Sequence, residues 1–178
     1  MNHSPGIMLI WRFAVMEAAK SEHEFIEPEH FVQAMTRGES LTDDAILKFV
    51  AGDKAVREAM IAEFSVVHDV LASRQVNTVT LRRSLRARLG KGNHPHAKGE
   101  TLHRSERSRR VFAAAKSMAK DCGTGFLQVG HLFLAILHDE NSSKVTPWSS
   151  GGDDEAEMSP PAVIPGVAAC PPVAGGIP

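Results

Sequence analysis

The feature that most constrains the fold of this chain is an internal repeat of a helical pair. In each copy an alanine-rich run is followed by a bulky apolar pair and then by an apolar run that opens on histidine. The first copy spans residues 14–35, with Phe25-Ile26 and His30, and the second spans residues 113–136, with Phe126-Leu127 and His131. Self-similarity of this kind is typical of a duplicated unit whose copies bury their apolar faces against each other. We therefore expect an all-α fold made of two helical bundles related by an approximate twofold axis.

These helical pairs resemble the repeats of the amino-terminal domain of the Clp (Hsp100) AAA+ unfoldases. In that family an alanine-rich helix precedes an aromatic–aliphatic pair, which is followed by Thr-Glu-His and an apolar helix. The matching triplets here are residues 28–30 (Pro-Glu-His) and residues 129–131 (Val-Gly-His). The resemblance covers roughly residues 7–40 and 62–141. It implies a domain that captures polypeptides or adaptor proteins for an AAA+ motor.

The resemblance also predicts the domain organisation. Residues 1–141 are expected to form the double-repeat helical domain, with residues 41–64 as an inserted helical segment, because family repeats pass directly from the histidine-led helix to a pair matching residues 65–74 and 76–90. Residues 142–178 are rich in proline and glycine, which predicts an extended, mobile linker or tail. The second repeat is therefore expected to be incomplete.

Local signals predict where individual helices begin and end. Pro28 suits the first residue of a helix, since its missing N–H would have no partner there. Thr78 or Thr80 is expected to cap a later helix, which should end at Gly90. A short helix is expected from Thr42 to Phe49.

Composition excludes several classes of protein. The 178 residues carry a formal net charge of −1, so the chain as a whole has no pull toward nucleic acid or an anionic membrane. The apolar start at residues 6–11 is short and is followed by Arg12, with no Lys or Arg ahead of it. Neither a signal peptide nor a membrane span is predicted, and a cytoplasmic location is expected.

No enzymatic activity or cofactor is expected from these residues. A phosphate loop needs Gly-x-x-x-x-Gly-Lys-Ser/Thr, and Gly90-Lys91-Gly92 lacks both the spacing and the hydroxyl. Cys122 could serve as a nucleophile with His131 as its base, but nothing places them together, and Cys122-Gly123 is typical of a helix end. We therefore predict no catalytic residues.

Nine histidines raise the question of a metal site, most clearly at His94-Pro95-His96 with His103 nearby. A zinc site needs three or four converging ligands, and no Cys or carboxylate spacing in the sequence supplies a recognised set. We therefore predict no metal site. The matched histidines His30 and His131 are interpreted as packing or hydrogen-bonding residues of the repeat.

Basic residues predominate between Arg82 and Lys120, where Glu100 and Glu106 are the only acidic residues. Such a region could neutralise phosphates, but it lacks interleaved aromatic residues and any groove-reading motif. Solvated helix faces are the preferred interpretation. Nucleic acid is thus not the expected partner.

The residues predicted to bind a partner are Glu29, Phe25 and Ile26. In some Clp unfoldases, the glutamate of each Thr-Glu-His element helps hold a phosphorylated arginine of the client. The resemblance places Glu29 in that role in the first repeat, whereas the second repeat has Gly130. Phe25 and Ile26 offer apolar surface at a loop between helices.

The resulting functional hypothesis is a substrate- or adaptor-binding domain that delivers polypeptides to an AAA+ motor, either in cis or as a separate subunit. The expected partners are unfolded or tagged clients and adaptor proteins. Two alternatives remain open: a stand-alone interaction domain of a signalling or regulatory protein, and a helical nucleic-acid-binding protein.

Overall fold

The computed structural model describes residues 1–37, 53–97 and 99–139. In these ranges the chain forms six helices and four two-residue strands, which confirms the all-α class. In chain order they are β1 (Asn2–His3), α1 (Pro5–Lys20), β2 (Phe25–Ile26), α2 (Pro28–Met35), α3 (Lys54–Ser73), α4 (Thr78–Leu89), β3 (His103–Arg104), α5 (Glu106–Asp121), β4 (Phe126–Leu127) and α6 (Val129–His138). The helix predicted from Thr42 to Phe49 and the tail predicted at residues 142–178 lie outside the described residues.

Strand pairing shows how the two repeats are related. β1 pairs in parallel with β4, and β2 pairs in parallel with β3. Each repeat therefore lends its first strand to the second strand of the other repeat, as an approximate twofold axis requires. Every element of the second unit begins at the same sequence distance from its counterpart, so the two units align without insertion or deletion. The predicted duplication is confirmed.

The alanine-rich runs that indicate the repeat are nevertheless not equivalent residue by residue. Ala18 and Ala119 stand at equal distances from the phenylalanine of the following strand, and both are fully buried. The run Ala113–Ala115 lies more than one helical turn earlier in α5. The run Ala113–Ala115 therefore resembles the end of α1 in composition only. The residue-by-residue alignment of the two repeats is set by the strands.

Side chains and proline define the helix starts. Ser4 and Ser105 hold equivalent N-cap positions, where their hydroxyls accept hydrogen bonds from the backbone N–H groups of Ile7 (3.3 Å) and Ser108 (3.1 Å). Pro28 is the first residue of α2, as predicted.

Of the two predicted boundaries of α4, the structure contradicts the start and confirms the end. The prediction that Thr78 or Thr80 caps this helix is wrong, because Asn77 accepts bonds from the backbone of both Val79 and Thr80. The predicted end at Gly90 is confirmed.

Helix α3 includes the last residues of the segment 41–64 that the sequence predicts to be an insertion. It is one continuous helix of 20 residues that starts after the N-cap Asp53 and passes through Phe64 without interruption. Residues 54–64 thus share a helix with the residues that the sequence assigns to the repeat. Met60, Phe64, Val67 and Leu71 are its buried apolar residues.

An aromatic cluster lies at the centre of the core, between the repeats. Trp11 of α1 and Phe112 of α5 hold equivalent positions, and their ring centroids are 5.6 Å apart. Phe31 of α2 packs edge-on against both, at 5.8 Å from Trp11 and 5.0 Å from Phe112. The Arg104 guanidinium lies 4.6 Å from the Phe112 ring centroid. The cluster joins the two repeats into one core. None of the described helices has the length and apolar character needed to cross a membrane.

Candidate functional site between the repeats

His30 is a structural part of the repeat. The backbone N–H of Glu27, the N-cap of α2, donates to His30 Nδ1 at 2.9 Å, and His30 Nε2 lies 2.8 Å from His23 Nδ1. Because Nδ1 accepts, the ring proton of a neutral His30 lies on Nε2. Burial, reinforced by the nearby His23, lowers the pKa of His30 to about 4. His30 is therefore neutral at physiological pH.

His131 repeats this role in the second unit. The backbone N–H of Gln128 donates to His131 Nδ1 at 3.2 Å, and the side chain is fully buried. Burial lowers the pKa of His131 as well. Each histidine, as the third residue of its helix, therefore accepts the backbone N–H of the N-cap residue, which agrees with the interpretation of both as hydrogen-bonding residues of the repeat.

The lowered pKa of His30 predicts a loss of stability in acid. An unfolded histidine titrates near 6.5, so the unfolded chain takes up this proton before the folded chain as the pH falls. The contribution of His30 is fully present above pH 6.5 and is lost as the pH falls from 6.5 to about 4. Between pH 7.5 and pH 5 we expect this one group to lower the free energy of unfolding by about 2 kcal/mol.

Urea denaturation at the two pH values, on wild type and His30→Asn, would check this prediction. The Asn Oδ1 can accept the Glu27 N–H but does not titrate. Wild type should lose about 2 kcal/mol more than the variant between pH 7.5 and pH 5. Equal losses in the two proteins would assign the acid sensitivity to other groups.

The twofold axis creates two junctions, in each of which the start of a long helix from one repeat meets the second strand and short helix of the other. The first is the arginine junction, formed by Glu29, Arg88, Arg107 and Asp139. Arg107 donates to Glu29 Oε1 at 2.7 Å and, through Nε, to Asp139 at 2.6 Å. Arg88 Nη2 lies 3.4 Å from the same Glu29 oxygen.

Burial makes the arginine junction energetically important. The Glu29 side chain is only 7% exposed and that of Arg107 is 19% exposed. Among the described residues Glu29 Oε2 has no hydrogen-bond partner. Hydrogen bonds to Glu29 and Asp139 raise the pKa of Arg107 even though burial opposes its charge. The junction therefore holds a largely buried ion pair that fastens α2 to α5.

The second is the glutamate junction, formed by Ser4, Gly6, Glu63 and Val129. Glu63 Oε2 accepts from the Ser4 hydroxyl at 2.6 Å and from the Val129 backbone N–H at 3.0 Å, and the Gly6 backbone also donates to this carboxylate. An internal carboxylate thus bonds to the starts of both α1 and α6, where helix dipoles favour an anion. Burial nevertheless raises the pKa of Glu63.

The two junctions differ because the repeats have diverged at two coupled positions. Gly6 is equivalent to Arg107, and Glu29 is equivalent to Gly130. A Cβ at position 6 would stand 2.8 Å from Glu63 Oε2 and 2.9 Å from a Val129 methyl group, so only glycine fits there without displacement. In the arginine junction these two positions hold an arginine and a glutamate that form an ion pair. In the glutamate junction both positions are glycine, which leaves room for the Glu63 side chain from α3.

The three residues predicted to bind a partner lie in different environments. Phe25 is 40% exposed, Ile26 is fully buried, and Glu29 belongs to the arginine junction. Phe25 and Glu29 therefore do not share one open surface, and Ile26 packs in the core. Their binding role stays a prediction, and exposure favours Phe25.

Phe126 is not among the binding residues predicted from the sequence, although the repeat places it at the position equivalent to Phe25. It occupies the position of Phe25 in the second unit and is 52% exposed. Its neighbour Leu127 is fully buried, as is Ile26. Each repeat thus presents a phenylalanine outward and buries the next residue. Arg107 and Glu63 were also missed, because their partners are distant in the sequence.

Together the reciprocal strands and matched junctions define a duplicated helical-repeat domain. Residues 56–146, just over half of the chain, match the Clp repeat (R) N-terminal domain, and the chain belongs to this family. The predicted resemblance to this family is confirmed, and the matched range includes the second motif at residues 113–136. The matched range begins within the segment 41–64 that the sequence predicts to be an insertion. No curated protein matches the chain.

Proposed function

We propose that this domain binds unfolded or tagged polypeptides, directly or through adaptor proteins, and delivers them to a Clp-type AAA+ motor in cis or in a separate subunit. Membership of the Clp repeat family supports the general role. The observation that carries the proposal is the outward placement of Phe25 and Phe126, 40% and 52% exposed, at equivalent positions of the two repeats. Single exposed apolar side chains are common, but the same exposure in both copies favours use by a partner.

The internal pairing of arginines favours a protein partner over nucleic acid. Arg82 donates to the Thr36 carbonyl oxygen, Arg86 pairs with Glu17, and Arg88 pairs with Glu29. These arginines lie in the basic region that motivates the nucleic-acid alternative. Arg86 and Arg88, whose charges are balanced by carboxylates within the protein, would release fewer counterions from a phosphate backbone.

Glu29 is poorly placed to bind a client. Its Oε1 already accepts from Arg107 and its Oε2 is buried, so the guanidinium of a client phosphoarginine would have to open the arginine junction to reach the carboxylate. We therefore expect arginine phosphorylation of a client to add little affinity. Phe25 and Phe126 are the main proposed contacts.

Fluorescence anisotropy with a labelled, reduced and carboxymethylated protein as the unfolded client tests the proposal. We expect Phe25→Ser and Phe126→Ser each to weaken binding by about tenfold, because each loses about 1.4 kcal/mol of apolar burial, and the double variant to weaken it further. Met16→Ser is the matched control, since Met16 is 59% exposed on α1 and lies outside the strands.

Equal affinities of wild type and the double variant would overturn the phenylalanine site. Stronger, salt-sensitive retention of wild type on RNA or DNA than on the client would favour the nucleic-acid alternative. Circular dichroism spectra of all variants would verify that the helices are retained.

A further inference from the structure

The connection between α4 and β3 is docked against the end of α1. Gly92 N–H donates to the Ser21 carbonyl at 2.8 Å, and His94 N–H donates to the Glu22 carbonyl at 2.9 Å. A Cβ at Gly92 would overlap the Glu22 carbonyl oxygen, so this close approach requires glycine. The docking positions the side chains that follow.

Three of those side chains converge on one point. His94 Nε2 lies 3.1 Å from Glu100 Oε1, and His96 Nδ1 lies 3.4 Å from the same oxygen. All three atoms are within 4.8 Å of one another. Ligand atoms about 2.0–2.1 Å from a tetrahedral zinc ion are about 3.3 Å apart, so two of the three separations already match a coordination shell.

The orientation of His96 is the observation that most favours a cation-binding role for this cluster. Its Nε2 lies 2.8 Å from the His23 carbonyl oxygen, which can only accept, so Nε2 must carry a proton. In a neutral ring Nδ1 is then a bare lone pair facing the Glu100 carboxylate. The His96 side chain is only 8% exposed, and Nδ1 has no hydrogen-bond partner among the described residues. Two electron-rich atoms face each other across a gap that a cation would fill.

Glu100 is also held in position by the backbone. The Ala97 N–H donates to Glu100 Oε2 at 2.9 Å, which leaves Oε1 directed toward the histidines. The His96–carbonyl and Ala97–Glu100 bonds are the kind of outer contacts that orient metal ligands.

We propose that His94, His96 and Glu100 form a site for a divalent transition-metal ion, with Zn²⁺ as the probe of choice, and with a fourth position open to water or a partner's side chain. Two imidazoles and one carboxylate suit zinc. His103, grouped with these histidines in the sequence, lies in β3 and is not part of the cluster. The site is hard to recognise in the sequence because Glu100 completes it only once the connection turns back. A bound ion would fasten this connection between the repeats.

Isothermal titration of Zn²⁺ into the full chain tests the site. We expect His94→Ala and Glu100→Gln each to weaken zinc binding by at least about tenfold, since the first removes a ligand and the second replaces a carboxylate ligand with a neutral amide. Both side chains are partly exposed, so these changes should preserve the fold, which circular dichroism would verify. The matched control is His103→Ala, which should bind like wild type. Equal binding by all four proteins, or no binding by wild type, would overturn the proposal.

Nitrogen-15 NMR of the histidine rings gives a second, independent measurement. Before zinc is added, His96 should carry its proton on Nε2, and zinc should shift the His96 Nδ1 resonance while the His103 ring stays unchanged. A simple His96–Glu100 ion pair predicts instead a doubly protonated ring and no zinc-dependent shift. Observation of that state at saturating zinc would contradict the site.

Discussion

Arg107→Met is expected to lower the free energy of unfolding by about 3 kcal/mol, because it leaves the buried Glu29 carboxylate without its closest cation. The Glu29 side chain is 7% exposed, and Arg107 donates to it at 2.7 Å. Asp139 loses its 2.6 Å bond in the same variant. Arg88, 3.4 Å from Glu29, can compensate only in part. Urea denaturation followed by circular dichroism would measure the loss.

Two further variants distinguish this junction from an ordinary ion pair. Arg110→Met is the matched control in α5, since its pair with Glu106 is exposed and should contribute at most about 0.5 kcal/mol. The double variant Arg107→Met/Glu29→Met should recover at least about 1 kcal/mol relative to Arg107→Met, because no charge then remains unpaired at Glu29. Similar losses in Arg107→Met and Arg110→Met would contradict the buried-pair interpretation.

The helices could be predicted because local signals specify them. Apolar periodicity and the recurrent histidine predicted both helical pairs, and Pro28 and Gly90 fixed one start and one end. The error at the start of α4 shows the limit of such signals, since Asn77 and Thr78 are adjacent residues that can both cap a helix. Boundaries of this kind depend on backbone geometry that neighbouring residues alone do not specify.

The junctions could not be predicted, because they depend on how the repeats meet. Arg107 and Glu29 belong to different repeats and come together where β2 pairs with β3 and Phe31 packs against Phe112. The sequence does contain a trace of this contact: where one repeat has Gly6 and Glu29, the other has Arg107 and Gly130. These differences can be recognised as compensating only when it is known that the first helix of one repeat meets the second helix of the other.

The outward-facing residue of each bulky pair could not be predicted from the sequence either. The sequence indicates a bulky pair in each repeat but not which member faces outward, because a two-residue strand is too short to show alternation. The structure buries Ile26 and Leu127 and exposes Phe25 and Phe126. Side-chain direction in these strands is therefore set by the pairing between repeats.

Phe112→Ala is expected to lower the free energy of unfolding by about 4 kcal/mol, because truncation leaves a cavity at the centre of the duplicated core. The Phe112 side chain is 1% exposed and lies 5.0 Å from Phe31 and 5.6 Å from Trp11, measured between ring centroids. The contact of Arg104 with its ring would also be lost. Urea denaturation would measure the change in midpoint and slope.

Phe126→Ala is the matched control for this prediction, since it removes the same side chain from a position that is 52% exposed. We expect it to change the free energy of unfolding by less than about 1 kcal/mol, while it weakens client binding. The two variants are therefore expected to have different effects. Phe112→Ala should lower the stability of the domain, whereas Phe126→Ala should lower its affinity for the client. If Phe126→Ala destabilised the domain as strongly as Phe112→Ala, the outward phenylalanines would be part of the core, and the proposed binding surface would have to be abandoned.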